Sequence, residues 1–220
     1  MISFEQIKNN EEINTYIKKA DDSLGAMGFT EHSFAHVGKV VDVSSYILST
    51  LGYSERDIEV VKIASYMHDI GNVVNRIEHA QSGAIMAFNI LNRLGADADI
   101  IADVVTAIGN HDEKTAVPVN HITAALIIAD KSDVRRNRVR KAEDYDSSDI
   151  HDRVNYSVKK SLVKINEDKT KIKLKLTIDP KVTAVMDYFE IFLERMNLCR
   201  DAAKVLGLQF HLIINEQQIL

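Results

Sequence analysis

The chain carries eight histidines in 220 residues, several of them beside aspartate in apolar surroundings. His36 lies on the apolar stripe of its segment, four residues before Val40. His68-Asp69 ends a stretch that is otherwise almost wholly apolar, and Asp130 follows Leu126-Ile127-Ile128-Ala129. An unpaired carboxylate would be costly to bury in such places. His79 heads a predicted helix and His111 ends one, so the order is H, HD, H, H, D at positions 36, 68, 69, 79, 111 and 130. Any one of these histidines alone reads as a core or surface residue; only the ordered set points to a shared role. Buried imidazoles and carboxylates need partners or a compensating cation, and a metal holds several of them together. Four imidazoles and two carboxylates exceed what one ion commonly requires. Asp69, with two oxygens, could serve two ions. A His-rich, carboxylate-poor set suits Fe or Mn, with Zn, Ni or Co also compatible, better than Mg or Ca.

The elements that must position these residues read as helix after helix through about residue 140. Ser3 to Gln6 has the capping-box pattern, followed by Ile7, Ile13, Tyr16, Ile17 and Leu24 at helical spacing. Thr30 is a candidate cap for a second helix bearing His36, Val40, Val43, Ile47 and Leu51, closed by Gly52. Ser54 and Asp57 open a third that leads into His68-Asp69. A fourth spans about 78–94, a fifth follows Asp97, and a sixth starts after Pro118 and ends at Asp130.

Periodicity changes after about residue 150. KIKLKLTI (171–178) alternates strictly, which predicts a strand with lysines on one face. Tyr156 to Ile165 predicts a less regular strand before it. Asp179-Pro180 is the predicted start of a long helix with an apolar stripe from Val182 to Leu206, and Leu208 to Ile214 alternates again. The expected architecture is mainly α: a helical metal-binding domain at 1–150 and a small C-terminal β-β-α-β unit at 151–220. That unit is a candidate homodimer surface. The lone Cys199 lies on the apolar stripe and reads as a buried structural thiol.

Composition bounds the function classes. The chain is 45% hydrophobic and 27% charged with a net charge of −5, which fits a globular domain and argues against bulk affinity for nucleic acid or anionic membranes. No apolar run approaches the roughly 18–20 residues needed to cross a bilayer. One cysteine excludes a disulfide framework, and the N-terminal residues lack a signal-peptide pattern, so a cytoplasmic location is expected.

Tyr-Met-His-Asp-Ile-Gly-Asn at 66–72, with His36 upstream and Ala129-Asp130 downstream, resembles the HD-domain metal-dependent phosphohydrolase superfamily. The resemblance covers about residues 30–140 and implies an all-α bundle. His79 and His111 resemble the two-metal branch, which includes HD-GYP cyclic-dinucleotide phosphodiesterases and diadenosine-tetraphosphate hydrolases. The resemblance implies that His36, His68, Asp69 and Asp130 hold one divalent ion, and that His79, His111 and a bridging Asp69 hold the second. Asn72 stands where HD-GYP proteins usually have Lys, and Lys-Thr-Ala-Val-Pro follows His111-Asp112-Glu113 in place of a G-Y-P signature. Cyclic di-GMP cleavage by that route is therefore not expected.

The implied reaction is hydrolysis of a phosphoester or phosphoanhydride, nucleotide-like, in which two cations acidify a bridging water and neutralise the phosphoryl oxygens. A di-iron oxygenase, or a metal-loaded sensor without catalysis, remains open from the ligand set. Asp69 is the central catalytic candidate. His32, four residues before His36 on the same helical face, is a candidate phosphate contact or proton donor. A basic run follows Asp130: Lys131, Arg135, Arg136, Arg138, Arg140 and Lys141. Its first two members, Lys131 and Arg135, are candidates for binding substrate phosphate, and Lys131 also for catalysis. His121 reads as a surface or capping residue, His151 as structural or a wall of the cleft, and His211 as exposed.

Overall fold

A computed structural model describes residues 2–140 and 149–219. Lys141 and the acids Glu143, Asp144 and Asp146 lie outside the described residues. The helices are α1 (Phe4–Lys8), α2 (Glu11–Ala26), α3 (Phe34–Leu51), α4 (Glu55–Met67), α5 (His79–Arg93), α6 (Ala98–Gly109), α7 (His121–Lys131), α8 (Ile150–Ser157) and α9 (Val185–Val205). Short 3₁₀ turns occupy Ile70–Val73 and Arg136–Arg138. The strands are β1 (Val158–Ile165), β2 (Lys171–Ile178), β3 (Gln209–Ile214) and β4 (Gln217–Gln218). No helix of the described residues is long and apolar enough to cross a membrane.

The predicted first helix is two. Asn9 closes α1, and Asn10 caps α2 by accepting from the Ile13 amide at 3.1 Å, because Asn competes well for the orphan amides of a new helix start. Ser33, not Thr30, caps α3, its hydroxyl accepting from the Ala35 amide. Thr30 instead offers its carbonyl to His32. Asp179 does not start α9. Its carboxylate accepts from the Lys181 amide in a turn, and the helix begins at Val185. α8 covers residues 156–157, where the sequence predicted the beginning of a strand, and β1 starts at Val158.

α7 is the axis of the bundle. Ile122 through Ala129 are all buried, as expected for a helix apolar on every side. It packs against α3, α4, α6 and α9. The sheet has the order β1-β2-β3-β4, with β1 antiparallel to β2, β2 parallel to β3, and β3 antiparallel to β4. α9 provides the crossover between the parallel pair and buries Tyr188, Phe192, Met196, Cys199 and Ala203, four or three residues apart. Each of the larger of these side chains contributes roughly 1.5–3 kcal/mol. One continuous core runs from α1 through the bundle into the sheet, and Cys199 is buried within it.

Candidate metal centre

The six ordered residues converge. His36 is the third residue of α3, His68 caps the end of α4, and Asp69 follows before the 3₁₀ turn. His79 is the first residue of α5, His111 lies just beyond α6, and Asp130 is in the last turn of α7. The four imidazoles are at most 2% exposed and Asp69 is 7% exposed. Rings of His32, His36, His68, His111 and His79 meet edge to face in that order, with centroids 5.1–5.4 Å apart.

Each histidine is oriented from behind. Nδ1 of His68 lies 2.8 Å from the Ser65 carbonyl, Nδ1 of His79 3.1 Å from that of Arg76, and Nδ1 of His111 2.6 Å from that of Ile108. A carbonyl only accepts, so each Nδ1 carries the proton and each Nε2 presents a lone pair. His36 donates from Nδ1 to the Asp133 carboxylate at 2.8 Å. Asn72 does the same for Asp69, its amide donating to Oδ1 at 2.9 Å.

The lone pairs meet on Asp69. Its Oδ2 lies 3.2 Å from His68 Nε2 and 3.7 Å from His36 Nε2; its Oδ1 lies 3.4 Å from His79 Nε2 and 3.9 Å from His111 Nε2. Oδ1 of Asp130 lies 3.4 Å from His36 Nε2 and 3.8 Å from His68 Nε2. One ligand atom from each of His36, His68 and Asp130, and likewise of His68, Asp69 and His111, falls within 4.8 Å of the others.

These contacts fit a metal better than they fit hydrogen bonding. The buried Nε2 atoms of His36 and His68 have no hydrogen-bond partner. The Nε2 atoms of His79 and His111 face each other at 3.2 Å, although both rings are oriented as acceptors. Two such lone pairs repel unless a cation lies between them; Arg76 Nη1 makes only a long 3.4 Å contact to one of them, and 3.2–3.9 Å is the span of two ligands each about 2.1 Å from one ion.

The electrostatics divide the histidines. Burial, aided by the charges of His68, Lys131 and His79, pushes His111 down to about 3, so it stays neutral. Burial also lowers His79, and lowers His32 well below the usual histidine range. Burial opposes ionisation of Asp69 and Asp130, yet His68 beside the first and Lys131 beside the second hold both far below the usual carboxylate range. His68 is raised: burial disfavours its charge, but Asp69 and Asp130 outweigh that, so its Nε2 offers a lone pair only when a cation takes the place of that proton between it and the carboxylates.

Asp69, Asp130, His79 and His32 also line a cavity of about 260 Å³, bounded by Phe29 and by Phe192. Lys131 reaches it with Nζ held 2.7 Å from Asp130 Oδ2 and 3.1 Å from Glu113. Arg135 does not line it: the guanidinium turns to Asp133, with Nε at 2.5 Å and Nη2 at 3.0 Å. The buried Asp133 carboxylate, two residues away, is the nearer and stronger attraction. Asp133, Glu113, Arg76 and Arg195 lie beside these residues and were not singled out by the sequence. Only Asp133 left a signal, three residues after Asp130. His151 is a wall of the cavity, His121 stacks on Tyr53 at 4.4 Å, and His211 is half-buried on β3.

The HD domain family model matches residues 33–145. The chain is 24% identical over 189 residues to the uncharacterized protein MJ1020 of Methanocaldococcus jannaschii, an alignment spanning 76% of this chain and 72% of that one. A solved structure of a predicted HD superfamily hydrolase from an uncultured Thermotogales bacterium is 26% identical, with a TM-score of 0.45, and covers 56% of this chain and 67% of that one. With more than half of its length matched by the family model, the chain belongs to the HD domain family.

Proposed function

We propose that the chain is a metal-dependent phosphohydrolase with a dinuclear centre, acting on a phosphoester or phosphoanhydride of nucleotide-like character. The observation that supports it is the division of Asp69, with Oδ2 toward His36 and His68 and Oδ1 toward His79 and His111. His36, His68, Asp69 and Asp130 would hold one ion; Asp69, His79 and His111 the other. Fe or Mn suits this nitrogen-rich set. Two divalent ions supply a water acidified enough to attack near neutral pH and neutralise charge on the phosphoryl oxygens.

The chain's own groups do the rest. Lys131 spends two contacts on Asp130 and Glu113, and an ammonium has three donors, so one remains for a phosphoryl oxygen. His32, fixed by its Nδ1 contact to the Thr30 carbonyl at 2.7 Å and kept neutral by burial, presents Nε2 as an acceptor, which suits it to a hydrogen bond from a protonated phosphate oxygen; donating a proton to the leaving group would first require it to be protonated. Arg135 keeps Asp133 ionised behind His36.

The test is metal analysis of freshly purified protein together with anaerobic assay of a nucleotide and phosphoester panel. Phosphate release without oxygen, and a fall from about two ions to about one in H79A or H111A, is the expected result. Full metal retention in both variants would overturn the second site. Oxygen consumption with Fe(II) in place of phosphate release would assign the scaffold to oxygenase chemistry.

A further inference from the structure

Four cations line the cavity: Arg76, Lys131, Arg138 and Arg195. Three are already engaged. Lys131 lies between Asp130 and Glu113, Arg195 pairs with Glu113, and Arg138 donates to the carbonyls of Glu31 and Asp133. Arg76 differs. Among the described residues neither it nor Arg138 has a carboxylate within ion-pair distance, but Arg138 is held by two backbone carbonyls at 2.9 and 2.8 Å and Arg76 by none. Its side-chain contacts are Asn72 Oδ1 at 3.3 Å, His79 Nε2 at 3.4 Å, and the ring of Phe29, 5.6 Å below the guanidinium.

The segment that carries it is tightly built. Gly71 packs so closely under α5 that a Cβ there would fall 2.0 Å from the His79 carbonyl oxygen. Asn75 accepts from the Ile77 amide at 2.8 Å, and Glu78 takes a left-handed φ of 57° to turn the chain into α5. The Arg76 carbonyl orients His79 while the Arg76 side chain reaches the same ring from the cavity side. Local geometry therefore sets a half-buried, unmatched guanidinium next to the proposed second-ion ligands. Cation beside cation is repulsive, and an anion between them removes the conflict. A guanidinium fork takes two oxygens of a tetrahedral oxyanion at once.

We propose that Arg76, aligned by Asn72 and backed by Phe29, is an oxyanion-binding residue that holds two phosphoryl oxygens of the substrate and of the phosphate product beside His79. This rests on the phosphohydrolase reading for its substrate, but the anion site itself is testable without turnover. The experiment titrates inorganic phosphate into metal-loaded wild type, R76K and R76M, with metal content measured on the same samples, and then compares KM and kcat on a phosphomonoester that wild type cleaves. Phosphate affinity should fall about 10- to 100-fold in R76M with metal content unchanged, R76K should recover only part of it, and the loss should appear mainly in KM. Unchanged phosphate affinity in R76M would overturn the proposal. So would a loss that merely tracks loss of metal, which would make Arg76 a support for His79 alone. If wild type cleaves no phosphoester yet phosphate binding depends on Arg76, the hydrolase reading fails and the anion site stands. If wild type turns over and R76M matches it in KM and phosphate affinity, the reverse holds.

Discussion

Asp133 is the most economical place to test whether the histidines are metal ligands. Its side chain is fully buried and accepts from His36 Nδ1 at 2.8 Å. Burial opposes its ionisation, but His36, Arg138 and Arg135 hold it well below the usual carboxylate range. D133A removes the acceptor, so the His36 proton is free to move to Nε2 and block the lone pair a metal needs. Outer carboxylates of this kind are worth about 10- to 100-fold in metal affinity, equivalent to about 1.4–2.7 kcal/mol. The same change leaves a buried N–H without a partner, at about 1–3 kcal/mol, in the metal-free protein as well. Arg135, partly exposed, recovers water and adds little. Two readouts separate these effects: urea unfolding of chelator-treated protein gives the structural loss, and chelator competition gives the affinity loss. At saturating metal the metal-induced gain in stability should shrink by the affinity term alone. D133N, which keeps an acceptor oxygen, should fall between. Metal affinity in D133A within twofold of wild type would refute the role of His36 as a ligand.

Two further outcomes follow from the same geometry. G71A places a Cβ 2.0 Å from the His79 carbonyl oxygen and 2.5 Å from the Gly83 amide nitrogen, both backbone; it should cost about 3 kcal/mol or more in urea unfolding and release about one ion, and wild-type stability would refute the packing. In metal-free protein, His32, His79 and His111 are held neutral, His111 down to about 3. Between that value and about 6.5 the unfolded chain binds more protons, so stability falls with pH by up to about 1.4 kcal/mol per unit per histidine, partly offset by the raised His68. Below about pH 4 the depressed Asp69, Asp130, Glu113 and Asp133 add to the loss. Flat stability from pH 7.5 to 5 after chelation would contradict the burial of neutral imidazoles.

The six ordered residues were legible because each breaks a local rule. A His on an apolar stripe or an Asp closing an apolar run conflicts with burial unless something binds it, and such conflicts can be read from neighbours in sequence. The helices were legible from their stripes and caps, while boundaries failed where the capping residue was misplaced, as at Thr30 with Ser33 three residues on, or where a good cap closes a turn instead, as at Asp179 before a helix that starts without a side-chain cap. Arg76, Glu113 and Arg195 were not legible. They sit among polar neighbours that look like an ordinary solvated face, and only packing brings them to one cavity. Lys131 and Arg135 looked alike in the basic run. What separates them is the direction each side chain takes from its own backbone, toward Asp130 and Glu113 or toward Asp133.

The change of periodicity near residue 150 marks a change of secondary structure but not an end of the site. α9 packs along α7, and its Arg195 lies over the Phe192 ring at 4.6 Å while pairing with Glu113. Glu113 pairs with Lys131, and Lys131 with Asp130, so charges alternate from the C-terminal helix to a proposed metal ligand. Glu113 is held well below the usual range because Lys131 and Arg195 together outweigh its burial. Such a series is stable only when complete: removing one member leaves its neighbour buried and unmatched, which costs more than the pair contributes. Helices α8 and α9 also supply His151, Asn155 and Phe192 to the cavity wall. The C-terminal unit thus does two things at the centre, neutralising Lys131's second partner and closing one side of the cavity. A bundle cut at residue 150 would keep every proposed metal ligand and lose both.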